Sequence, residues 1–78
     1  MKIKFDTAEQ IKEFCRLSAK LEGDILLKSG NYVVDGKSIA GIFSLSLDKP
    51  VDFELICRSD REVDSFISGI EKIGILVK

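Results

Sequence analysis

The residues in this sequence that could carry chemistry are Ser38, with its neighbours Gly36 and Lys37, and the cysteines Cys15 and Cys57. The chain contains no histidine. That absence removes the most common general base, the most frequent metal ligand and every phosphohistidine mechanism. No Ser/His or Cys/His nucleophile can be built. We therefore expect no catalytic residues, no metal site and no cofactor, and we expect that the protein is not an enzyme.

The two cysteines do not form a metal-binding or disulfide pattern. Neither Cys15 nor Cys57 belongs to a CxxC motif, and no histidine accompanies them, so a zinc site is not expected. No basic motif stands beside both residues to activate their thiols. We predict that both are buried thiols that behave as small apolar side chains, in preference to a redox role.

The segment Gly36-Lys37-Ser38 is similar to the end of a phosphate-binding loop. That motif requires four residues between its first glycine and Gly-Lys-Ser, whereas five residues separate Gly30 from Gly36, so we reject it. Ser38 then has two interpretations. It is either the N-cap of a short helix or a phosphorylation site favoured by the helix dipole and by Lys37. Residue type and spacing alone favour the cap.

Length and composition limit the classes of protein that fit. The 78 residues and 8.7 kDa allow one domain, 1–78. A hydrophobic content of 45% argues against disorder, and a net charge of −1 argues against nucleic-acid binding. No apolar run is long enough to span a membrane, and the charged segment 1–6 does not fit the core of a secretory signal. We expect a cytoplasmic protein with no membrane contact.

Apolar periodicity and capping residues predict seven elements in the order β-α-β-β-α-β-α. Strands are predicted at 2–5, 24–28, 32–34 and 51–57, and helices at 7–23, 37–45 and 59–73. We expect the first helix to end at Gly23 and the last at Gly74. Thr7 with Gln10, and Ser59 with Glu62, have the spacing of capping boxes. These elements predict a two-layer α+β sandwich.

Two apolar segments keep more than one interpretation. If Ile42 and Leu45 face the core, then Ile39 and Phe43 are partly exposed and suit a partner surface. The spacing equally allows all of them to be core. The tail at 75–77 either packs on the body, adds a strand or serves a dimer. We favour core packing, because a domain of this size has little apolar area to spare.

The segment from Val34 to Leu45 resembles HPr, the phosphocarrier of the bacterial sugar phosphotransferase system. The matching residues, in register, are Lys37-Ser38-Ile39, Gly41, Ile42-Phe43 and Ser44-Leu45. The resemblance spans most of the chain but is specific only for about 34–47. It implies the HPr fold, an open-faced sandwich in which three helices cover one face of a four-stranded antiparallel sheet.

The HPr active site is not preserved. An ungapped count places Thr7 at the position of the family's histidine and Glu9 at that of its arginine. Threonine cannot form the labile phosphoramidate that the family passes on, and Glu9 repels phosphate. The resemblance thus implies a protein without histidine phosphotransfer. The alternative is a phosphocarrier that uses another phosphoacceptor. Nothing in the sequence supports a third reading, a small enzyme with an unrelated site.

The regulatory region of the family is preserved better than its active site. Ser38 corresponds to the serine that a dedicated kinase phosphorylates in Gram-positive relatives, so the resemblance favours a phosphosite over a silent cap. Ile39, Ala40 and Phe43, with Lys37, correspond to the family's contact surface. We expect an HPr-like regulatory or adaptor protein that binds a protein partner, such as a serine kinase or a transcriptional regulator. The oligomeric state is not predicted.

Overall fold

The computed structural model describes residues 1–77. Its strands are β1 (Lys2–Ile3), β2 (Asp24–Ser29), β3 (Tyr32–Asp35), β4 (Val51–Ile56) and β5 (Leu76–Val77). Its helices are α1 (Ala8–Ala19), α2 (Ile39–Phe43) and α3 (Asp60–Ile73). The α+β class and the three helices match the expectation, and the order of elements gains a strand after α3.

The sheet has five antiparallel strands in the order β3-β2-β4-β1-β5, so the prediction of four strands is wrong. The additional strand comes from the apolar tail. Ile75 is buried and its carbonyl accepts a hydrogen bond from the Lys4 amide at 2.8 Å, while Leu76 pairs with Ile3. The tail therefore fills the core and extends the sheet together, because alternate residues of a strand face opposite sides.

The core lies between one face of the sheet and the helices. The two longest strands, β2 and β4, alternate between buried and more exposed positions, as the period of two requires. Phe14 of α1 is fully buried, and its ring makes edge-to-face contacts with Phe5 and Phe66 at centroid distances of 5.3 and 5.8 Å. Such pairs add stability beyond the apolar area that they bury. The buried apolar residues are Ile3, Phe5, Ile11, Phe14, Leu21, Ile25, Leu27, Ile42, Leu45, Val51, Phe53, Phe66, Ile70 and Ile75.

Helix α1 begins as predicted but ends earlier. Thr7 is the N-cap, and both hydrogen bonds of the capping box with Gln10 are present. The C-cap is Lys20, so the prediction that Gly23 stops this helix is wrong. Gly23 has a different role. A Cβ atom at this position would lie only 2.2 Å from the backbone oxygen of Ile56, so the turn after α1 can approach the end of β4 only with glycine there.

The start of α3 also departs from the prediction. Ser59 is the N-cap and accepts a hydrogen bond from the Glu62 amide at 3.4 Å. The Glu62 carboxylate does not return to the cap but accepts hydrogen bonds from the amides of Glu22 and Gly23. The capping box is therefore only half formed. At the other end, Gly74 adopts φ +85°, which confirms it as the residue that terminates α3.

The prediction that both cysteines are buried is wrong. Cys15 and Cys57 are each free and partly exposed. Cys15 lies at the edge of the buried stripe of α1, and Cys57 follows the last residue of β4, so each packs against the core from its margin.

Two further features concern the described residues 1–77. No helix there combines the length and the apolar content needed to cross a membrane. No group of three or more histidine, cysteine, aspartate or glutamate side chains is placed to hold a metal ion.

We expect Gly23→Ala to destabilise the fold by about 1–3 kcal/mol, because the new methyl group collides with backbone that cannot turn aside. Gly41→Ala is the matched control. Its Cβ would meet the side chains of Ser38 and Val34 at 3.4 Å, an ordinary contact, so we expect a stability equal to or slightly above that of the wild type. Urea unfolding followed by circular dichroism measures both. Equal midpoints for Gly23→Ala and wild type would contradict the close approach.

Candidate functional site

Ser38 lies at the start of α2 and is its N-cap. Its Oγ accepts a hydrogen bond from the Gly41 amide at 3.1 Å, and its own amide donates to the Asp35 carbonyl at 3.1 Å. The side chain is partly exposed. In the unmodified protein Ser38 is therefore a capping residue, as the spacing predicts, and its hydroxyl lies at the surface rather than in the core.

Helix α2 turns one side to the core and the other to solvent. Ile42 is fully buried and Leu45, just beyond the helix, is 8% exposed, whereas Ile39 is 47% and Phe43 55% exposed. Ala40 is exposed as well. The structure thus resolves the two interpretations left open by the spacing. We call Ile39, Ala40 and Phe43 the α2 surface.

Lys37 is held by the fold rather than extended into solvent. Its Nζ donates to the carbonyl of Leu21 at 2.8 Å, and its amide donates to Oδ1 of Asp35 at 2.9 Å. The side chain is partly buried. The structure therefore brings Lys37 to the turn that follows α1, and places it beside Ser38 only through the chain.

The same turn is held from its other side by Glu62. The carboxylate accepts hydrogen bonds from the amide of Gly23 at 3.1 Å and from that of Glu22 at 3.3 Å. The pKa of Glu62 lies below its ordinary value. The main cause is a hydrogen bond from the Cys57 thiol, followed by the Gly23 amide, and the charge of Lys37 adds to them. A cation and an anion from distant parts of the chain thus satisfy a carbonyl and two amides of one turn.

The environment of the cysteines makes their thiols weak nucleophiles. Burial raises the pKa of Cys15. Burial also raises the pKa of Cys57, and the hydrogen bond to Glu62 and the negative charge of that carboxylate raise it further. Because the thiolate is the reactive form, neither position is set up for catalysis.

Thr7 and Glu9, the positions that align with the phosphotransfer residues of HPr, have structural roles at the start of α1. The Thr7 hydroxyl accepts from the Gln10 amide at 3.2 Å, and the Gln10 side chain accepts from the Thr7 amide at 3.2 Å. Glu9 is exposed and lies 3.6 Å from the ammonium of Lys12. The geometry here is that of a helix start.

Sequence reasoning missed two groups of residues. Glu62 and Gly23 are separated by more than half of the chain, and no local pattern connects them. Tyr32 and Val33 were correctly placed on a strand, but they are 72% and 56% exposed because that strand lies at the edge of the sheet. Only the strand order reveals this.

Comparison with known proteins assigns the fold to a class. No protein-family model matches the sequence, and no curated protein is significantly similar to it. The structure nevertheless has the HPr-like α+β fold, as shown by its similarity to a solved structure.

That structure is Crh, a catabolite repression protein of Bacillus subtilis, which was solved as a domain-swapped dimer. The two agree with a TM-score of 0.66 over 100% of this chain and 90% of Crh, at 17% sequence identity. An identity this low shows a common fold and nothing finer.

The lowered pKa of Glu62 makes a pH-dependent contribution to stability. Its carboxylate is favoured in the folded state, so the contribution is present at neutral pH and is lost as the pH falls from about 5 through the folded-state pKa. We expect Glu62→Gln to be less stable than wild type at pH 7, with a difference that narrows on acidification. Unfolding free energies measured between about pH 7 and pH 3 test this.

The control for that series is Glu71→Gln, which removes an exposed carboxylate near the other end of α3. It should follow the acid dependence of the wild type. A constant difference between Glu62→Gln and wild type across the series would contradict the assignment.

Proposed function

We propose that the protein is an HPr-like regulatory or adaptor protein that acts without histidine phosphotransfer and binds a protein partner through the α2 surface. The observation that carries the proposal is the exposure of Ile39 and Phe43 directly after Ser38. The inward residue Ile42 already anchors α2 in the core. The outward apolar side chains are therefore not needed for folding, and they suit an apolar pocket on a partner.

In this proposal, phosphorylation of Ser38 switches the surface. A phosphoryl group would add close to two negative charges at the first turn of α2. Amides at the start of a helix and the neighbouring Lys37 favour such a charge. The expected partner thus offers apolar contacts for Ile39 and Phe43 and an arginine for the phosphate. A transcriptional regulator is one candidate, and the kinase itself is another.

The modification has a consequence for Lys37. Its ammonium lies on the Leu21 carbonyl in the unmodified protein, and a phosphate on the adjacent residue competes for it. Phosphorylation would then loosen one of the two side chains that hold the turn after α1.

Phosphotransfer through another residue is less well supported. Thr7 uses its hydroxyl in the cap of α1, and the side chain at the position of the family's arginine is the anionic Glu9. We therefore propose a protein that is not an enzyme, and we place its action in the cytosol.

The first experiment is an intact-mass measurement after incubation with ATP and a Gram-positive HPr kinase. We expect one added phosphate on the wild type and none on Ser38→Ala. Authentic HPr in a parallel reaction shows that the kinase is active, and circular dichroism shows that both proteins are folded. An unmodified wild type under those conditions would eliminate the switch and leave a binding module.

A second experiment tests the α2 surface in the same assay. We expect Phe43→Ser to lower kcat/KM for phosphorylation of Ser38 by about tenfold, the equivalent of about 1.4 kcal/mol of lost contact. Its stability should change little, because Phe43 is largely exposed. Ile56→Ser is the matched control, since Ile56 is 53% exposed at the end of β4, away from α2. Equal rates for the two variants would argue against docking through α2.

A further inference from the structure

Strand β3 forms an uncovered edge of the sheet. It pairs with β2 on one side and, within residues 1–77, with no strand on the other. Tyr32 and Val33 are 72% and 56% exposed, two of the highest values among the large apolar side chains. This edge is separate from the α2 surface and from the function proposed for it.

The hairpin register shows which backbone groups of β3 are free. The two-residue turn at 30–31 makes the facing residues Ser29 and Tyr32 a hydrogen-bonded pair, and such pairs alternate with non-bonded ones. The Gly36 amide donates to the Ile25 carbonyl at 2.8 Å, as this alternation requires. Val33 therefore directs both its N–H and its C=O away from β2.

The free edge has few of the features that prevent pairing. Exposed edges are commonly protected by charges, prolines or bulges. Residues 31–34 read Asn-Tyr-Val-Val and contain neither charge nor proline. Tyrosine and valine are strong strand formers. The shortness of β3 is its main protection, so any pairing through it is weak.

We propose that two copies of this chain associate through the free edges of β3, antiparallel about a two-fold axis at Val33. In that register Val33 of one copy faces Val33 of the other, and their backbones exchange both hydrogen bonds. Tyr32 of each copy faces Val34 of the other, and Asn31 faces Asp35. No like charges oppose each other, and the aromatic–β-branched pairs are favourable. The edge is thus complementary to itself.

The side chains also agree with the two faces of the sheet. Tyr32 and Val34 point to the helix side, where Gly41 of α2 lies within contact distance of Val34, and Val33 points to the open side opposite Lys28. The interface is far smaller than the roughly 800 Å² per partner of a stable complex, so we expect a dissociation constant on the order of 0.1–1 mM.

This association differs from the exchange described for Crh, because no segment leaves its own fold. It makes and breaks rapidly, whereas exchange of an element requires partial unfolding. The two modes are therefore distinguishable by rate and by their dependence on residue 33.

The test is a charge swap at the two-fold axis. Val33→Asp and Val33→Lys each place like charges opposite each other, and both should be monomers in sedimentation velocity at about 1 mM chain, where the wild type is largely dimeric by the dissociation constant expected above. An equimolar mixture of the two variants should associate again. Val33→Thr, which keeps the backbone and the β-branch, should behave as the wild type.

NMR supplies an independent reading. In a sample that mixes labelled and unlabelled wild type, isotope-filtered spectra should show a contact between the Hα atoms of Tyr32 and Val34, which face each other as a non-bonded pair. A wild type that stays monomeric at about 1 mM would overturn the proposal. So would a mixture of charge variants no more associated than either alone, or a dimer that survives both substitutions and exchanges slowly.

Discussion

The fold depends on the close contact between the turn after α1 and the end of β4. Gly23 lies so near the backbone of Ile56 that no side chain fits. The polar groups of the turn, withdrawn in part from water, are satisfied by Lys37 from the loop before α2 and by Glu62 from α3. An unsatisfied backbone group in such a place costs free energy comparable to a lost hydrogen bond. This one turn therefore fixes α1, α2 and α3 relative to the sheet.

The sequence was sufficient to locate most elements because their signals are local. Thr7, Ser59 and Gly74 act on the nearest turn of their helix, and alternation along β4 is visible within six residues. What could not be predicted depends on distant contacts. The C-terminal tail becomes a strand only because β1 is there to pair with it, and the role of Gly23 requires the position of β4.

The candidate site shows the same division. The cap at Ser38 follows from residue type, whereas the outward direction of Ile39 and Phe43 could not be read from a helix of five residues, which is too short for periodicity to separate its faces. The resemblance to HPr supplied the interpretation of this region. The similarity to Crh establishes the fold, and the chemistry of the α2 surface carries the rest of the proposal.

The position of β1 has a consequence for how the protein forms. Residues 2–3 are synthesised early, but both of their neighbours in the sheet, β4 and β5, come from the second half of the chain. During translation β1 has no partner until β4 emerges, and its second edge closes only with the final residues. The hairpin of β2 and β3, in contrast, can assemble as soon as it leaves the ribosome. Topology of this kind makes completion of the sheet a late event in folding.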